Sequence, residues 1–102
     1  MVDLTTVAGT SYTLAPGDDY LIFTNVAAVT VTVPPDTNDR LDFENGSVVN
    51  LTQNGNGQVM VAAGANVTVN SLLGAMAISG QYGMVSLIKE GANLWKLVGT
   101  LA

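Results

Sequence analysis

The residues able to do chemistry in this chain are few, and half of the acidic ones are gathered in one place. Carboxylates stand at Asp36, Asp39, Asp42 and Glu44, with the only arginine, Arg40, among them. Hard oxygen ligands this close in sequence are the type that holds Ca²⁺. Their spacing does not follow the EF-hand loop, which sets acidic or amide side chains at alternate positions and then requires glycine. Here Arg40 takes the third such position and the glycine is missing. What remains is an exposed acidic loop. Either it is solvated, with Arg40 paired internally, or it docks on a basic patch of a partner. In the second case its charges set orientation and on-rate more than affinity.

Catalytic groups are scarce elsewhere. The chain contains no His and no Cys, so general base work would fall to a carboxylate, a Lys or a Tyr. Lys89 and Glu90 are adjacent, and neighbours along a strand point to opposite faces. Asp3, Asp18, Asp19 and Glu90 offer no fixed carboxylate pair of the kind glycoside hydrolysis uses. The turn Asn54-Gly55-Asn56-Gly57 lacks the lysine and the strand-to-helix setting of a phosphate loop. Three N-x-S/T triplets begin at Asn45, Asn50 and Asn66. In a chain rich in Asn and Thr they arise by chance, and none is read as glycosylated. The expectation is a protein that is not an enzyme, with no catalytic residue, no cofactor and no metal.

The elements that would carry these residues read as strands. In Val29-Thr30-Val31-Thr32-Val33, period-two alternation puts three valines on one sheet face and two threonines on the other. Strand-like runs recur at 11–14, 20–25, 29–33, 47–53, 58–62, 66–70, 75–79, 84–89 and 94–100. Turn residues separate them: Pro16-Gly17-Asp18, Asn45-Gly46, Asn54-Gly55-Asn56-Gly57, Gly64, Gly74, Gly80 and Gly91-Ala92-Asn93. Short strands with frequent turns predict an all-β fold, a compact antiparallel β-sandwich or jelly-roll-like domain of about 8–9 strands. The segment Leu72-Leu73-Gly74-Ala75-Met76 is the one helix-compatible stretch, weakened by its glycine. Two hairpins are predicted. One turns at residues 53–58, where Asn-Gly pairs supply positive φ; the other joins 84–89 to 94–100. Trp95 and Leu97 share a face of the last strand, and Trp95, the only tryptophan, is the expected bulky anchor of the core.

Composition narrows the function. The 102 residues make one domain, read as an arm at 1–9 and a β-domain at 10–102. Charged residues are 11% of the chain, against about 25% in ordinary domains. Such a surface tolerates close protein contact, since burying it strands few charges. The net charge is −5, and Arg40, Lys89 and Lys96 form no basic stripe, so nucleic acid is not an expected partner. No apolar run reaches the about 18 residues of a membrane helix. The N-terminus lacks the basic and apolar regions of a secretory signal, so synthesis in a cytoplasm is expected.

The order of the short motifs carries a further reading. Tyr12-Thr13-Leu14 is followed by Tyr20-Leu21-Ile22-Phe23-Thr24-Asn25 and Val29-Thr30-Val31-Thr32-Val33-Pro34. Then come Gln53-Asn54-Gly55-Asn56-Gly57-Gln58-Val59, Gly80-Gln81-Tyr82, Val85-Ser86-Leu87-Ile88-Lys89 and Leu94-Trp95-Lys96-Leu97-Val98-Gly99. Across residues 10–102 this resembles a small β-domain of tailed-bacteriophage structural proteins. That domain forms the C-terminal part of tail or virion fibre proteins and is similar to domains that stand alone as capsid cement proteins. The acidic segment departs from the pattern, which is less charged there.

The resemblance implies a homotrimeric virion component, made in the bacterial host cytoplasm and located on the capsid exterior. Its partners would be further copies of itself and the major capsid protein, with no nucleic acid and no membrane. Because the chain opens on Met1 and holds this domain alone, a cement role is expected over a fibre role. The alternative is a tail-fibre or receptor-binding domain that recognises glycans through exposed aromatics. Two contact regions are expected for the cement role. One is the N-terminal segment, with Met1, Val2, Asp3 and Leu4; the other is the acidic loop, with Asp36, Asp39, Arg40, Asp42 and Glu44.

Overall fold

The computed structural model describes residues 4–37 and 42–102. Nine strands are present among them: β1 (Leu4–Val7), β2 (Ser11–Thr13), β3 (Tyr20–Phe23), β4 (Val29–Val33), β5 (Val48–Gln53), β6 (Val59–Ala63), β7 (Thr68–Ser71), β8 (Met84–Gly91) and β9 (Leu94–Gly99). A single 3₁₀ turn, Leu72–Gly74, follows β7 and falls in the one stretch whose sequence allowed a helix. The predicted strand at 75–79 does not form. That segment makes only the isolated bridges Met60↔Ala77 and Ile78↔Leu101.

The all-β class is right, but the antiparallel expectation is overturned. Among the described residues, the pairings β1–β3, β3–β5, β2–β4, β4–β6 and β7–β9 are parallel, and only β5–β8 and β8–β9 are antiparallel. The strands form a six-stranded mixed sheet in the order β1-β3-β5-β8-β9-β7 and a three-stranded parallel sheet in the order β2-β4-β6. From β1 to β6 the chain alternates between the two sheets, so each strand lies beside the one two places earlier. Parallel neighbours need a long crossover, most often a helix. Here a strand of the other sheet does that work. The pattern is three turns of a coil, closed by the β8–β9 return. The second turn is longer than the first because it carries residues 34–47 between β4 and β5.

The corner at residues 53–58 shows why the hairpin expectation fails. β5 and β6 belong to different sheets, and neither Gly55 nor Gly57 has positive φ. These glycines serve close approach instead. A Cβ on Gly55 would sit 2.4 Å from the Asn25 carbonyl oxygen, and one on Gly57 would sit 1.8 Å from that of Ala27. One coil turn lies directly on the next, tied by hydrogen bonds from Gly55 N–H to the Phe23 carbonyl (3.0 Å) and from Gly57 N–H to the Asn25 carbonyl (3.0 Å). The C-terminal hairpin forms as expected. β8 and β9 pair antiparallel, and Asn93 in their turn takes φ 52°.

One core lies behind both sheets. Val29, Val31 and Val33 of the small sheet pack in the same cluster as Leu21, Phe23, Val49, Leu51, Val85, Leu87, Trp95 and Leu97 of the large one. The alternation in β4 is therefore read correctly, as is Trp95, which is 1% exposed. Its indole meets the Phe43 ring edge-on at 5.1 Å between centroids.

Candidate functional site

The acidic segment is anchored from the inside. β8 directs Val85, Leu87 and Lys89 into the core by period-two alternation. A lysine there must find partners, because an unpaired buried charge is costly. Lys89 is 3% exposed. Its Nζ donates to Asp36 Oδ1 at 2.6 Å and to the Phe43 carbonyl at 2.6 Å. The other oxygen of Asp36 accepts the Asn93 N–H at 3.1 Å, and Asn93 Oδ1 accepts the Asp36 N–H at 2.7 Å. This network clamps the segment onto the β8–β9 turn. Asp42 accepts the backbone N–H and the hydroxyl of Thr37. Glu44 is exposed, and its carbonyl accepts from Ser47.

Of the residues expected to contact a partner, Asp36 is therefore used within the chain, and Asp42 holds a local turn. Met1, Val2, Asp3, Asp39 and Arg40 lie outside the described residues. Leu4 opens β1, which pairs with β3 at the edge of the six-stranded sheet, so residues 4–7 of the expected arm are a strand of the domain.

A second surface emerges from the sheet register. Residues opposite in parity to the core line the outer face of the six-stranded sheet. Three rows run across it: Thr6, Ile22, Thr52, Met84; Leu4, Tyr20, Asn50, Ser86, Val98; and Val48, Ile88, Lys96, Asn70. Leu4, Val48, Met84 and Val98 are exposed; Tyr20, Ile22 and Ile88 are half-buried. The Tyr20 hydroxyl approaches Met84 Sδ at 3.9 Å, and Ser86 Oγ donates to Asn50 Oδ1 at 2.6 Å. The charge within these rows is Lys96, which pairs with Glu90 at 3.2 Å. A sheet with one face on the core normally turns polar side chains outward. This one turns out seven apolar side chains on five strands.

Leu4 alone of these residues is a contact the sequence predicts. The signal for the others is present in it. Leu21-Ile22-Phe23, Val48-Val49, Leu87-Ile88 and Leu97-Val98 are adjacent apolar residues, and adjacency in a strand means that both faces are apolar. The chain matches no family model, no curated protein and no solved structure.

Proposed function

We propose that this protein is a virion structural subunit, a capsid cement that binds the assembled phage head as a trimer and stabilises it. The β-sandwich description of the domain belongs to the same proposal: two sheets facing each other across the shared core. The observation that carries it is the outer face of the six-stranded sheet. An apolar surface of this breadth, with its one lysine already neutralised, is suited to burial against protein. A subunit that binds only the closed shell stabilises it by mass action, and three linked contacts per trimer add avidity. Leu4 belongs to this contact face. Glu44, which is exposed, orients the docked subunit through its charge.

Burial of Trp95 favours this reading over the glycan-binding alternative, because the sole indole is withdrawn from any sugar-stacking surface. The test is the copy number of this chain in purified particles, measured by mass spectrometry against the major capsid protein. A ratio near one to one is expected. A few copies per hundred capsid subunits would assign the chain to a tail or fibre, and absence from the particle would remove the virion role.

A further inference from the structure

We propose that Asn45 is the site at which this chain deamidates spontaneously while folded, and that the coil withholds the same chemistry from Asn54 and Asn56. Three Asn-Gly pairs occur in the sequence, at 45–46, 54–55 and 56–57. Glycine after asparagine favours the reaction, because it has no Cβ to hinder its own nitrogen. That nitrogen, after giving its proton to a base in solvent, attacks the asparagine Cγ. The N–Cγ bond forms and ammonia leaves. Water then opens the resulting succinimide to aspartate or isoaspartate. The net change is one water gained and one ammonia lost, with a carboxylate in place of the amide. Isoaspartate also puts one more carbon into the backbone.

In the closed fold all three nitrogens are engaged. Gly46 N–H donates to the Lys89 carbonyl at 2.7 Å, Gly55 N–H to that of Phe23 at 3.0 Å and Gly57 N–H to that of Asn25 at 3.0 Å. A nitrogen held this way is shielded from base. It is also kept from the aligned approach, to about 3–3.5 Å, that ring closure needs. The reaction therefore waits on local opening, and its rate at each pair follows the cost of opening there.

That cost differs between the sites. Asn45 and Gly46 are exposed, whereas Gly55 is half-buried and Gly57 is buried. Gly46 sits in the turn before β5, closed by the Ser47 N–H on the Glu44 carbonyl at 3.1 Å. Nothing lies within 4 Å of its would-be Cβ. Releasing its bond to Lys89 frays one end of the β5–β8 ladder and moves no other strand. The corner at 53–58 lacks that freedom. Thr24 and Asn25 wall Gly55, and Asn25 and Ala27 wall Gly57, so freeing either nitrogen means lifting one coil turn off the next. The same contact leaves no room for the extra backbone carbon of isoaspartate, which the open turn at 45–46 accepts. Conversion at Asn45 thus leaves the fold intact and sets a new carboxylate beside Glu44. Conversion at Asn54 or Asn56 marks chains that have unfolded.

The test incubates the full chain in mildly alkaline buffer, with and without denaturing urea. Peptides are mapped over time by mass spectrometry, with enzymatic methylation of isoaspartate as a second readout. In buffer, Asn45 is expected to convert at least about tenfold faster than Asn54 or Asn56, with an unchanged circular dichroism spectrum. In urea the three sites should convert at similar rates, because only the adjacent residues then set them. Asn45→Gln should remove most of the acidic species that native protein accumulates on isoelectric focusing. Equal native rates at the three sites, faster conversion at the corner, or no native conversion at Asn45 would overturn the proposal. A native ordering that persists in urea would also overturn it, since the neighbouring sequence and not the fold would be its cause. The measurement needs no particle, so it stands or falls apart from the capsid reading.

Discussion

At the scale of single residues, Lys89 separates role from appearance. The sequence shows a cation beside Glu90; the fold turns the cation inward and ties it to Asp36 and Phe43. Glu90 is left to an exposed pair with Lys96, of the kind that adds little stability. Breaking a buried pair leaves the partner charge and a carbonyl stranded. Lys89→Met is expected to lower unfolding free energy by about 3 kcal/mol, and the double variant with Asp36→Asn by clearly less. Urea titration of the three proteins checks this, and equal losses in both variants would contradict it. Tyr12 supplies a pH effect. Burial first, and then the hydrogen bond to Asp18 and its negative charge, hold the Tyr12 phenol above its ordinary value of 10.0; the hydroxyl donates to Asp18 at 3.0 Å. A group raised in the folded state contributes stability that is present below its unfolded value and lost as pH climbs through the folded one. Thermal midpoints should therefore fall above pH 10, and Tyr12→Phe should fall less steeply over the same range.

At the scale of elements, the corners decide the coil. Gly57→Ala drives a methyl into the Ala27 carbonyl, and because interiors are close-packed the backbone must shift. A loss of at least about 2 kcal/mol is expected. Gly80→Ala is the matched control: nothing lies within 4 Å of its would-be Cβ. It should be neutral or stabilise by up to about 1 kcal/mol through the unfolded chain. Similar midpoints for the two variants in thermal unfolding would refute the stacked-corner account. The β8–β9 hairpin was legible because its turn joins strands that are neighbours in space as well as in sequence. The corner at 53–58 was not, because the same residue types serve a turn of positive φ and a backbone in tight contact.

At the scale of the whole molecule, the outer face of the six-stranded sheet carries a single described ion pair, Lys96–Glu90, amid apolar and neutral polar side chains. Asp36 and Phe43 of the acidic segment are held at Lys89 and the β8–β9 turn, while the outer sheet face turns out Leu4, Tyr20, Ile22, Val48, Met84, Ile88 and Val98 among neutral polar residues. On the proposed capsid role, attachment through the apolar face predicts tolerance of salt, since ionic strength screens exposed charges and leaves apolar burial in place. Under that proposal, protein bound to purified particles should stay bound when NaCl rises from about 0.1 to about 0.5 M, a range over which the Debye length falls by about half. Pelleting with particles checks this. Release over that range would move the principal contact to the acidic segment.

The sequence by itself determined that the chain is built of short strands, that β4 turns its valines inward, that Trp95 anchors the core and that Lys89 and Glu90 part company. All of these follow from local periodicity, which depends only on the alternation of side chains along an extended backbone. Tertiary structure decided strand direction, since period two is the same for parallel and antiparallel neighbours. It also decided that β5 and β6 lie in different sheets, that Asp36 faces a buried lysine 53 positions away, and that apolar residues on five strands meet on one outer face. Those facts depend on which segments become neighbours, and no local pattern along the chain encodes that.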